Sequence, residues 1–124
     1  MNTKQRPVFQ AVLKYRYPVT AIASVLHRIS GVILFLLIPL LLKGLDHSLT
    51  NAANFQNIQH LLSNPLAITL LWLILAALIY HLVAGIRHIM MDAGFAESLA
   101  GGRRGAYVVF VITIILLFII GVWL

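Results

Sequence analysis

The sequence predicts an all-α integral membrane fold with three transmembrane helices. Three observations carry that prediction. Of 124 residues, 61% are hydrophobic and 10% are charged, against about 25% charged in a soluble domain. Uncharged stretches long enough to cross a bilayer recur, above all 65–86 and 106–124. The chain is also too short to add a soluble catalytic domain to three or four helices. It has no cysteine, which excludes disulfides, thiolate-bound iron–sulfur clusters and thioether-linked haem. Five histidines are the strong metal ligands left, and three acidic residues make a carboxylate-bridged centre unexpected. The net charge of +6 reads as membrane topology, with lipid and no nucleic acid as partner.

Residues 1–18 form a basic arm carrying Lys4, Arg6, Lys14 and Arg16. Val8, Phe9, Val12 and Leu13 add an apolar face, so an amphipathic segment at the interface is expected. Pro18 suits the first turn of the helix that follows. The start MNTKQRP shows neither a signal peptide nor a transit peptide, so an unprocessed chain in a bacterial cytoplasmic membrane is expected.

The first transmembrane helix is placed at 19–43. Its uncharged part, Ile29 to Leu42, covers about 21 Å of roughly 30 Å of hydrocarbon. The helix must therefore reach back through Arg28 and His27 to about Val19. A charge at that depth costs about 2.5–3.5 kcal/mol on insertion scales. Two readings of Arg28 stand side by side. It snorkels to the headgroups, or it serves a polar ligand together with Ser24 and His27, which lie at i, i+3, i+4 spacing on one face extended by Gly31. Pro39 predicts a kink near the far end.

Residues 44–64 are expected to be a periplasmic loop with a short surface helix around Phe55, Ile58 and Leu61, its His47 and His60 solvated. Asn64-Pro65 is an N-cap and first-turn signal. The second transmembrane helix is placed at 65–87. His81 lies about 9 Å below its Arg87 end. His81, Gly85 and His88 fall at i, i+4, i+7 on one face. An imidazole with bare backbone one turn away suits a flat, bulky ligand such as a haem; a buried histidine bonded to a neighbouring helix is the other reading. A cytoplasmic loop follows at 88–105, with Gly101, Gly102, Arg103, Arg104 and Gly105 as a flexible basic turn. The third helix, 106–124, reads as scaffold.

The basic residues set the expected orientation. Five lie in the arm and at Arg28, three lie in 87–105, and only Lys43 lies between the first two spans. The positive-inside rule then puts the N-terminus in the cytoplasm and the C-terminus in the periplasm. Both polar stripes fall at the cytoplasmic end.

Arg6-Pro7, Ser24-x-x-His27-Arg28-x-Ser30 and His81-x-x-x-Gly85-Ile86-Arg87-His88-x-x-Met91-Asp92-x-Gly94 occur in that order. Over essentially its whole length the chain resembles the cytochrome b556 membrane-anchor subunits of succinate dehydrogenase (succinate:quinone oxidoreductase, respiratory complex II). The resemblance implies that the three helices are half of a two-subunit helical bundle. It implies His81 as an axial ligand of a haem b, the other axial histidine coming from a second small anchor subunit. It implies Ser24 and Arg28 in the ubiquinone pocket and His27 and Arg28 near the haem propionates, with His88 and Asp92 as outer positions of the motif. The implied partners are a flavoprotein with FAD that oxidises succinate and an iron–sulfur protein that passes electrons on, both on the cytoplasmic face. The chain itself would be a non-catalytic anchor that contributes to the quinone site. Three other readings are an anchor of quinol:fumarate reductase, a purely structural anchor without a redox ligand, and a small transporter subunit using Arg28 and His81 as an ion path.

Overall fold

The computed structural model describes residues 16–123, so the basic arm lies largely outside it. Four helices follow one another: α1 (Val19–Thr50), α2 (Ala52–Leu62), α3 (Pro65–Asp92) and α4 (Leu99–Trp123). Three of them, α1, α3 and α4, are long and apolar enough to cross a membrane.

The helices begin where local chemistry allows them to. Pro18 is the residue before α1 rather than its first residue, in extended conformation with φ −64° and ψ 148°. Asn51 ends α1 and caps α2, its side chain accepting from the Asn54 N–H at 2.8 Å. Asn64 does the same for α3 through the Leu66 N–H, with Pro65 in the first turn. Before α4, Ser98 Oγ accepts from the Gly101 N–H at 3.0 Å. The turn between α3 and α4 needs positive φ at Gly94 (87°) and at Ala96 (58°), and glycine adopts that region without steric cost.

Helix ends differ from the boundaries that charge suggested. The first helix runs past Lys43 to Thr50, and the second past Arg87 to Asp92. A lysine or arginine marks where hydrocarbon ends, and nothing in either segment stops the backbone ladder there. The glycine-rich stretch 101–105, expected as a flexible turn, is the first turns of α4. Pro39 lies inside an unbroken α1, and α2 is the short helix expected around Phe55 and Ile58.

Central in the bundle, α3 packs against both α1 and α4. Small residues let the backbones approach, with Ala23, Ala84, Gly102 and Ala106 all buried. Tyr80, Ala84 and Val109 form the core, with Val83 and Phe110 packed on it. The Tyr80 hydroxyl donates to the Ala23 carbonyl at 2.8 Å, joining α3 to α1. Arg87 Nη2 donates to the Gly102 carbonyl at 3.0 Å, joining α3 to α4. Gly105 leaves room for that arginine, since a Cβ there would lie 3.2 Å from its Nε.

Tyr80→Phe keeps the ring and removes one buried interhelical bond. It should lower unfolding free energy by about 0.6–1.5 kcal/mol, read from denaturation in detergent, with helix content unchanged in the folded state.

Candidate functional site

Because the helices alternate in direction, the start of α1 lies beside the end of α3. His27 of α1 and His81 and His88 of α3 meet there. The His27 ring stacks on His81 at 4.2 Å between centroids and 15° between planes. It tilts against His88 at 5.0 Å and 38°. All three are half-buried.

Glycines make this crowding possible. A Cβ at Gly31 would sit 2.9 Å from His81 Cε1, closer than real Cβ contacts come. A Cβ at Gly85 would sit 3.4 Å from His27 Nε2. The bare backbone at Gly85 therefore receives the His27 ring. The sequence suggested a ligand for that space, and a side chain from the neighbouring helix fills it.

The tautomer of His81 follows from its partners. Its Nδ1 lies 3.1 Å from the His27 carbonyl oxygen and 3.1 Å from Ser30 Oγ. A carbonyl can only accept, so Nδ1 carries the proton and Nε2 the lone pair. Among the described residues nothing bonds to that Nε2. His27 Nε2 is buried and without a partner among the described residues, as is Arg87 Nε.

The other expected site residues lie around this seam. Ser24 is half-buried one turn before Arg28, and Arg28 is exposed, without a hydrogen bond among the described residues. His27 thus turns into the α1–α3 seam while Arg28, its neighbour, points outward. Asp92 ends α3 and is exposed. Ser30 and Gly31 were in the sequence pattern without a site role, yet both touch His81. Extending the stripe from His27 by i+3 and i+4 reaches both.

A family model described as succinate dehydrogenase/fumarate reductase transmembrane subunit matches residues 2–120. The chain belongs to this family. It is 44% identical to the succinate dehydrogenase cytochrome b556 subunit of Coxiella burnetii, over 100% of this chain and 99% of that one. It is 30% identical to the cytochrome b556 subunit of Paracoccus denitrificans, over 96% and 97%. It is 33% identical to the cytochrome b560 subunit of Reclinomonas americana, over 83% and 75%. The family and the three apolar helices establish a membrane-anchor subunit of the succinate dehydrogenase cytochrome b kind. All three relatives carry a succinate dehydrogenase name, so a fumarate reductase anchor is not favoured.

Gly31→Ala and Gly44→Ala should separate packing from propensity. Each gains up to about 1 kcal/mol of helix propensity. At Gly44 nothing lies within 4 Å of the new Cβ, so stability should hold or rise; at Gly31 the His81 ring must move. Overpacking there should cost about 1–3 kcal/mol, seen as a lower unfolding midpoint for Gly31→Ala alone.

Proposed function

We propose that this subunit holds a haem b through His81 and completes a ubiquinone site with Ser24 and Arg28, within a succinate dehydrogenase complex. One observation carries the haem assignment: the His81 Nδ1–H is engaged inside the chain and leaves Nε2 as the free lone pair. Iron needs a neutral imidazole nitrogen whose ring is held through the other nitrogen. When bound, the haem would supply a one-electron redox centre.

The geometry also argues against His27 as the second axial ligand. Two histidines holding one haem would each have to turn a ring-nitrogen lone pair toward it from a different side. Rings stacked at 4.2 Å and 15° present faces to one another, and their lone pairs cannot converge in that way. The likeness to succinate dehydrogenase cytochrome b subunits supports a second ligand from a second anchor subunit, so that the haem would join two chains.

For Arg28 the proposal is chemical. Electrons reaching a quinone place negative charge on its oxygens before protons arrive. The Arg28 guanidinium and the Ser24 hydroxyl, one helical turn apart, supply a cation and a donor to that charge, as in an oxyanion site. Arg28 and His27 are also the groups proposed to stand near the propionates, with His88 and Asp92 further out. Protons come from the cytoplasm if the N-terminus faces it, as the positive-inside rule requires. A flavoprotein with FAD and an iron–sulfur subunit, docked on that face of a bacterial inner membrane, deliver the electrons.

Two variants of the purified complex test this. Arg28→Leu should lower succinate–quinone turnover on the order of 100-fold, the loss expected for one oxyanion donor. Succinate oxidation by a soluble dye should be unchanged. His81→Ala should weaken or alter a low-spin b-type signal in the reduced-minus-oxidised spectrum. Normal quinone turnover would remove Arg28 from the site. An unaltered spectrum, or a complex without haem, would leave the chain a structural anchor.

A further inference from the structure

We infer that Ser30 is a positioning residue that fixes the ring plane of His81 and sets how strongly its Nε2 donates. The inference rests on the reading of His81 as an axial ligand.

Ser30 is 5% exposed, one turn beyond His27 in α1. Its hydroxyl donates to the His27 carbonyl at 2.8 Å. With that proton committed, Ser30 Oγ presents only lone pairs to His81 Nδ1, 3.1 Å away. The His27 carbonyl lies at the same distance. One N–H is therefore shared between two acceptors, and the acceptors are themselves linked. Gly31 stands beside Cε1, and the His27 ring covers one face. The ring is held at an edge, at a corner and on a face.

A serine in a transmembrane helix often does no more than bond back to its own helix. Thr113 does this: it is buried and donates to the Val109 carbonyl at 2.8 Å, with no bond across helices among the described residues. Ser30 makes the same kind of bond and also meets a nitrogen on another helix. That second contact gives it a role a back-bonding serine lacks.

The consequence follows from the acceptors. Two oxygens drawing on Nδ1–H push electron density toward Nε2, which favours the oxidised metal. Removing the hydroxyl leaves one acceptor, the His27 carbonyl, and lets the ring turn toward it. The oxidised form is then less favoured, and the midpoint potential rises.

The experiment uses the whole complex, with redox titration of the b-type band and electron paramagnetic resonance of the oxidised form. Ser30→Ala should keep a low-spin signal, shift its potential upward and move its largest g value, which reports the relative planes of the axial rings. Ser30→Thr should restore both, and Thr113→Val should change neither. Should Ser30→Ala fail to assemble, Ser30→Cys carries the same expectation, because sulfur is the weaker acceptor. Wild-type potential and g values in Ser30→Ala would overturn the inference, as would equal shifts in Ser30→Ala and Ser30→Thr. If His81→Ala leaves the band unaltered, the ligand assignment fails first and takes this inference with it.

Discussion

Three imidazole rings stand at the crossing of α1 and α3, half-buried between the two helices. Their polar atoms must be answered from within the protein or by something it binds. For His81 the answer is the backbone of His27 and the hydroxyl of Ser30. That bond requires α1 and α3 to approach closely, and the approach requires residues without bulk. Gly31 and Gly85 supply the space for the rings themselves, and Ala23 and Ala84 are buried among the helices nearby. The Tyr80 hydroxyl on the Ala23 carbonyl and Arg87 on the Gly102 carbonyl add two more ties at the same end of the bundle. The polar ties between helices thus gather where the histidines are. At the opposite end Gly121 faces the Trp72 ring, which a Cβ there would meet at 3.3 Å.

Much of this was legible in the sequence, for reasons that differ by feature. Length and composition determine which segments can cross a bilayer: the second and third spans were visible as uncharged runs, and the first followed from extending a short run back through Arg28 and His27. The helix ends were not visible, because charge reports the edge of the hydrocarbon and leaves the backbone ladder free to continue. Lys43 and Arg87 both lie inside helices, and the glycines at 101–105 proved compatible with a helix whose neighbour packs closely. Helical spacing gathered His81, Gly85 and His88 on one face, and charge counting brought His27 to the same depth. Spacing within a helix cannot say what the facing helix inserts. The gap at Gly85 therefore read as room for a ligand, when it is room for His27. Ser30 and Gly31 stood in the same stripe but drew no role, because their importance comes only from contact with His81 across the seam.

His27 and Arg28 are adjacent in the chain and serve opposite sides of it. His27 faces inward, and its Nε2 is buried there without a partner among the described residues. Arg28 faces outward between Val25 and Ile29, which are 53% and 49% exposed. Apolar side chains lose nothing by facing lipid, which is why so thin a core suffices in a membrane. A guanidinium does lose there, unless water, headgroups or a neighbouring polar group receives it. Among the described residues no side chain or backbone group meets Arg28 on this outward face of α1. Within the proposed complex, what meets it is a quinone whose oxygens gain negative charge, beside a haem whose propionates already carry it. In that proposal a single arginine answers both demands, while the inward histidine stacks on His81, the proposed haem ligand, on the other side of the same helix.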